Sequence, residues 1–328
     1  MSTYKTPKLL DQVRKVLRLK HYAYSTEQSY CSWIIQFVKF HQLSDRNALI
    51  PDAENKIEIF LTYLAIERKV ASSTQNQAMN ALVFLYKQVL EIPLDNKIDA
   101  FRSRKKCRIP EVLTQQEVKQ IIILLDGVPQ LVVKLLYGSG LRISEATRLR
   151  VHDIDFDYKQ ITVRSGKGNK DRVTTFSSTL ESPLKIHLQR VKLIHDKDLL
   201  DSYGSVYLPN ALNKKYPNAE KEWGWQYVFP ARNIAVDPRS GITRRHHIDQ
   251  SVINKGIKGV VKKLDIAKRV SAHTFRHSFA THLLQRGTDI RTIQALLGHN
   301  DLETTMIYTH VLNQGGQGVS SPLDDLGL

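Results

Sequence analysis

Arg142, Lys167, His273, Arg276, His299 and Tyr308 are the side chains whose types and order could together handle a phosphodiester. Two arginines, a lysine and two histidines around one tyrosine would make a cationic socket with a nucleophile inside it. Arginine suits the non-bridging oxygens because its fork donates two parallel hydrogen bonds and keeps its proton. A free phenol ionises only near a pKa of about 10, so attack at neutral pH needs an adjacent base or a cationic field. His273 is the candidate base, and His299 is placed to hydrogen-bond the phosphate. Three positions separate His273 from Arg276 on an expected helix, so both are expected to face the same way. Arg142 follows Gly138-Ser139-Gly140, a turn expected to let the backbone approach a nucleic-acid strand.

Metal chemistry is the rival reading of the histidines. His273 and His277 stand four apart, as zinc ligands can, but Thr274-Phe275-Arg276 between them offers no glutamate and adds a repelling cation. His246-His247 has no partner at a ligand spacing, and clustered carboxylates of a two-metal nuclease are absent from the sequence. No metal is expected.

The elements that must position these residues fall in two blocks. The chain has 328 residues and a formal net charge of +16, with a pI near 9.7. That balance favours a polyanionic partner, through counterion release, over an acidic or neutral one. Cys31 and Cys107 give no disulfide framework and no zinc spacing, which suits a reducing cytoplasm. The start, Met1 to Lys8, lacks an apolar leader core. No apolar run approaches the roughly 20 residues that span a bilayer. A soluble, intracellular protein with no membrane partner is expected.

Helical periodicity predicts four helices before residue 100: Pro7 to about Lys20, a Ser25-Thr26-Glu27-Gln28 start to about His41, Ala53 to Arg68, and one after Ser72-Ser73-Thr74-Gln75. Arg102, Arg104, Lys105, Lys106 and Arg108 crowd a basic linker fit to cross a nucleic-acid backbone. Thr114-Gln115-Gln116-Glu117 reads as a capping box opening a helix to Leu125, followed by a helix from Gln130 to Tyr137 that ends at Gly138. Alternation predicts strands at Val151–Phe156, Gln160–Arg164 and Arg172–Phe176, with Lys167 and the nearby competitor Lys170 in the second connection. Helices return at Leu180–Leu200, Ile248–Leu264, Ser271–Gln285, Thr288–Leu297 and Leu302–Val311. The expected class is mainly α with a small antiparallel β-sheet, in two domains: 1–101, a linker at 102–110, and 111–328 with an insertion at about 200–245.

The order Tyr137-Gly138-Ser139-Gly140-Leu141-Arg142, His273-Thr274-Phe275-Arg276-His277, Leu296-Leu297-Gly298-His299 and Met306-Ile307-Tyr308-Thr309-His310 resembles the tyrosine recombinases, or integrases, over essentially the whole chain. The resemblance implies a helical DNA-clamping domain joined to a catalytic domain, and strand exchange without metal, ATP or other cofactor. Tyr308 would attack the phosphate to form a 3′-phosphotyrosyl link, and Lys167 would protonate the leaving 5′ oxygen. Phe275 stands where leucine is commoner and should face the core. The stretch from about Leu200 to Arg245, with Trp223-Gly224-Trp225 and Asp237-Pro238-Arg239, resembles the insertion of the integron integrases, as does the tail after Leu312. That branch implies a bacterial cytoplasmic protein that inserts and excises gene cassettes, acting as a homotetramer on a folded single-stranded site and an integron attachment site. Trp225, Pro238, His246 and His247 match the positions that hold its extrahelical bases. Alternatives are a duplex-specific phage integrase or chromosome-dimer resolvase, a type IB topoisomerase, and a DNA-bridging protein without catalysis.

Overall fold

The computed structural model describes residues 8–94, 98–103, 110–164, 171–208 and 212–309. The chain divides into two compact units, Met1–Arg108 and Ile109–Leu328.

In the first unit, helices α1 (Leu9–Leu19), α2 (Tyr24–Phe40), α3 (Ala53–Ile66) and α4 (Ser72–Phe84) close on one apolar core. Ile34 and Phe37 of α2, the Ile57-Phe60-Leu61-Leu64 face of α3, and Leu82 of α4 are all buried there, as their spacing requires. The α4 axis continues as a π-helical turn, Leu85–Leu90, stopped by Glu91 in the left-handed region. Its Tyr86 hydroxyl donates to the Leu49 carbonyl at 3.0 Å. The expected Ser25 start is not used: α2 begins one residue earlier, after Ala23 and without a side-chain cap. Arg102, the described member of the basic linker, is exposed. Arg104, Lys105, Lys106 and Arg108 lie outside the described residues.

The second unit opens with α5 (Gln115–Leu124), whose capping box is complete: Glu117 N–H donates to Thr114 Oγ1 at 3.1 Å and Thr114 N–H to Glu117 Oε2 at 2.7 Å. Next, α6 (Gly127–Ser139) runs straight through Gly138 and is stopped by Gly140 at φ +62°. The helix thus stops two residues later than the glycine pattern predicts. Gly140 is the residue that must be glycine, because a Cβ there would also lie 2.4 Å from the Phe279 ring. A short helix not expected from the sequence, α7 (Ile143–Arg148), starts directly after Arg142.

Strands β1 (Ile154–Asp155), β2 (Gln160–Val163) and β3 (Arg172–Thr175) form an antiparallel sheet in sequential order, β2 and β3 registering Gln160 with Thr175 and Val163 with Arg172. The expected first strand is shorter because Val151–Asp153 forms a 3-10 turn. Beyond α8 (Glu181–Leu200) and α9 (Leu212–Lys215) comes a second hairpin, β4 (Pro230–Val236) with β5 (Thr243–His247), where only one sheet was expected. Charged residues hide it from a hydrophobic pattern: β5 reads Thr-Arg-Arg-His-His. The unit finishes with α10 (Gln250–Lys263), α11 (Ala272–Gln285), α12 (Ile290–Leu297) and α13 (Glu303–Met306). Helices α10 and α11 pack on α6, and Phe275 of α11 is fully buried in the main core. Packing a ring there, at about 1.5–3 kcal/mol for a fully buried large apolar side chain, fixes the rotation of α11.

Candidate active site

Glu145 is the centre of the arrangement. It sits one turn into α7, three residues beyond Arg142, and its side chain is 9 % exposed. Oε1 accepts from Arg142 Nη1 at 2.7 Å and Arg172 Nη1 at 2.9 Å. Oε2 accepts from the Arg142 backbone N–H at 2.8 Å and Arg172 Nη2 at 2.6 Å. Four donors fill the lone pairs of one carboxylate. Burial opposes its ionisation, but the Arg172 hydrogen bonds and charge, with those of Arg142, override it and hold the carboxyl at about 2.

Arg276 lies beside this group without a hydrogen bond to it; Nη1 is 3.8 Å from Glu145 Oε2. Its donors go instead to neutral acceptors: the Gly140 carbonyl at 2.5 Å, the Leu297 carbonyl at 2.7 Å and His299 Nε2 at 3.1 Å. Both carbonyls are helix C-terminal groups, where a cation is favoured. Burial and then the neighbouring Arg142 charge push the Arg276 guanidinium down to about 9, so it stays charged at neutral pH. Arg142 Nη2 reaches the Gly298 carbonyl at 3.3 Å. Three buried or half-buried arginines therefore share one carboxylate.

His299 follows Gly298, whose φ of +63° stops α12 and turns the chain back towards the arginines. Its Nδ1 is 2.9 Å from Thr305 Oγ1. Burial, followed by Arg276, Arg142 and Arg172, lowers its pKa to about 4. The ring is neutral at pH 7, which leaves Nε2 free to accept from Arg276 while Nδ1–H donates to Thr305.

Tyr308 packs with Phe279, Ala280, Ile293 and Leu297, and is 1 % exposed. Its ring stacks with that of His299 at 6.4 Å. The imidazole that reaches its hydroxyl is His277, with Nδ1 at 2.9 Å. Burial and then His273 and Arg276 lower His277 to about 4, so a neutral ring shares this hydrogen bond with the phenol. Burial raises the phenol itself, against the opposing pull of Arg276 and Arg142. His273 is exposed, unlike its helix neighbour Arg276, and desolvation with Arg276 and Arg142 lowers its pKa.

The structure thus brings together Arg142, Arg276, His299 and Tyr308, with His273 near enough to feel both arginines. Lys167 and its competitor Lys170 lie outside the described residues. Glu145, Arg172 and His277 were not expected as site residues. The signal for Glu145 was its position three after Arg142 at a helix start. His277 is adjacent to Arg276, whereas nothing local marks Arg172, which arrives from the sheet.

The Trp223–Trp225 turn and the β4–β5 hairpin build a different surface. Trp225 contacts His152 edge-on at 4.4 Å, and the Arg150 guanidinium lies 5.7 Å from its ring and 4.7 Å from that of Tyr227. His246 and His247 lean on Tyr227 at 5.5 and 5.4 Å, and on each other at 4.1 Å. His246 is exposed and His247 partly so; burial lowers His247 to about 4. Pro238 is exposed between β4 and β5. Among the described residues no three His, Cys, Asp or Glu side chains converge as a metal site, and no helix is long and apolar enough to cross a membrane.

The sequence pattern of the phage integrase family matches residues 111–314, and that of the phage integrase N-terminal SAM-like domain matches residues 9–96. The chain belongs to the phage integrase family: it is a tyrosine recombinase, a DNA strand-exchange enzyme of site-specific recombination that uses a tyrosine nucleophile. An integrase/recombinase of Escherichia coli is 46 % identical over 319 residues, covering 97 % of this chain and 94 % of that protein. Tyrosine recombinase XerA of Pyrococcus horikoshii is 33 % identical over 254 residues, covering 76 % and 74 %. The fold is similar to the Tn1549 transposon integrase in complex with transposon right-end DNA, with a TM-score of 0.59, 16 % identity and 97 % of each chain covered. It is also similar to XerH bound to its difH substrate, with a TM-score of 0.58, 20 % identity, and 92 % and 80 % covered.

Proposed function

We propose that Tyr308 is the nucleophile and that Arg142 and Arg276 hold the non-bridging oxygens of the scissile phosphate. The observation that carries this reading is the charge imbalance: Arg142, Arg172 and Arg276 surround the single carboxylate of Glu145. Buried charge is costly unless paired, and a phosphodiester entering this socket supplies the missing anion. The bond from Arg276 to His299 supports this reading: both side chains face the same pocket of charge, and neutral His299 can rotate its own N–H onto an oxygen. The phenol has its hydrogen bond to His277 and must leave its packed position to attack, its proton passing to an imidazole, His277 or the expected His273. Lys167 protonates the leaving 5′ oxygen. The 3′-phosphotyrosyl bond conserves the energy of the broken link, and a 5′ hydroxyl of another strand reverses the step. Loss of one charge-stabilising donor costs on the order of a hundred- to a thousand-fold.

In this reading the enzyme is of the integron type and exchanges gene cassettes as a DNA-bound homotetramer in the bacterial cytoplasm. Residues 1–101 and the linker cations Arg102, Arg104, Lys105, Lys106 and Arg108 clamp the DNA backbone. Exposed His246 and partly exposed Trp225 and His247, backed by buried Arg150 and Tyr227 and with exposed Pro238 in the same hairpin, support the base-holding role, since splayed bases stack on such faces at about 1–3 kcal/mol each. Duplex recombination, as by a phage integrase or chromosome-dimer resolvase, is the second reading.

The test incubates the chain and Tyr308→Phe with a cassette-type single-stranded hairpin interrupted in its scissile strand, in chelator without magnesium. A slow-migrating covalent adduct on a denaturing gel, from the wild type only, is expected. An adduct on a duplex site but not on the hairpin would replace the integron reading with the duplex one. An adduct that survives Tyr308→Phe would remove Tyr308 from the mechanism.

A further inference from the structure

Arg172 stands at a junction that the phosphate-binding residues do not explain. It is the first residue of β3, its side chain is 9 % exposed, and it touches two other elements of the unit. Nη1 and Nη2 make the bidentate pair with Glu145. Nε donates to the Leu296 carbonyl at 2.9 Å, in the last turn of α12. Its Cδ lies where a Cβ on Gly298 would be, 2.7 Å away, so the glycine before His299 leaves room for this side chain.

We infer that Arg172 is a positioning residue for strand cleavage. It fixes Glu145, which in turn aims the Arg142 guanidinium, and it pins the α12 end from which His299 projects. With all three of its donor-bearing nitrogens committed to protein acceptors, it is not set up to grip a phosphate itself. Its role is geometric: a planar fork joins the sheet to α7 on one side and to α12 on the other. Lysine, whose donors all sit on one nitrogen without the planar fork, cannot make both connections. Misplacement of a reacting group by about 1 Å can cost about a hundredfold in rate. The inference rests on the assignment of Arg142 to the phosphate given above.

The test measures single-turnover cleavage by the full chain at saturating protein, on the interrupted DNA, hairpin or duplex, that gives the wild-type adduct. Wild type, Arg172→Lys, Arg142→Ala and the double variant are compared. DNA affinity and thermal melting of each variant monitor folding. Arg172→Lys is expected to cleave about ten- to a hundredfold more slowly while its DNA affinity changes less than about threefold. In the Arg142→Ala background the same substitution should cost much less, because residues that act through one another are not additive. A second substrate carries a neutral methylphosphonate at the scissile position. There the Arg172→Lys deficit should shrink, since less oxyanion charge needs Arg142. Wild-type rates for Arg172→Lys, or a deficit that multiplies fully onto Arg142→Ala and persists on the methylphosphonate, would overturn the positioning role. Unimpaired cleavage by Arg142→Ala is a separate result: it would remove the site assignment itself, whatever Arg172 does.

Discussion

The socket and the β4–β5 insertion both bury arginines, but they settle the charge differently. In the β4–β5 hairpin two guanidiniums have acids of their own: Arg244 pairs with Asp237, and Arg245 grips Asp198 at 2.5 and 2.7 Å. In the socket three arginines divide Glu145, whose oxygens are already filled by Arg142 and Arg172. Arg276, 4 % exposed, is left on carbonyls and a neutral imidazole. A closed pair builds structure. An excess of buried cation held by neutral groups favours an anion from outside, which would offset the cost of burying that charge.

The sharpest break of this comparison is catalytic. Arg276→Ala should lower the rate of adduct formation by about a hundred- to a thousand-fold, whereas Arg244→Ala, which opens a closed pair, should act mainly on stability. Rates at saturating protein, read beside melting curves, separate the two. Equal rate losses would erase the distinction.

Stability distinguishes the regions next. Glu145→Gln and Asp198→Asn each strand buried guanidinium charge, and each should cost about 3–5 kcal/mol. Sulfate or phosphate at tens of millimolar should recover much of the loss for Glu145→Gln, since the anion occupies the socket, and little for Asp198→Asn. Melting temperatures against anion concentration, with chloride at matched ionic strength, give the answer.

A smaller effect follows from the imidazoles. His277, His299 and His247 are each held near 4, below the usual histidine value. The unfolded chain therefore takes up protons that the folded one refuses, so stability rises with pH across the window from about 4 to about 6.5. It is fully present above 6.5 and is lost on acidification. Melting temperature should drop by on the order of 5 °C between pH 7 and pH 5, and a His277→Asn variant should flatten part of that slope. A flat profile in the wild type would contradict neutral, buried rings.

The smallest expected change belongs to the insertion surface. His246→Ala should weaken binding to a hairpin with extrahelical bases about five- to tenfold, near the lower end of base-stacking energies, and leave binding to the fully paired duplex unchanged. Competition between the two DNAs measures it.

The sequence alone was informative where chemistry or periodicity is local. Ile57, Phe60, Leu61 and Leu64 declared one buried face at helical spacing, and Thr114 with Glu117 declared a cap that forms atom for atom. Arg142, Arg276, His299 and Tyr308 could be named from residue type, order and family resemblance before any distance was known. The β4–β5 hairpin could not, because its strands carry arginines and histidines whose partners, Asp198 and Tyr227, come from elsewhere in the chain. Tertiary structure alone decided that Arg172 reaches Glu145 from the sheet across 27 positions of sequence, and that His277 meets the hydroxyl of Tyr308. A single side chain's chemistry is written in its identity. Which charge remains uncompensated is a property of how distant segments pack, and only the folded chain fixes it.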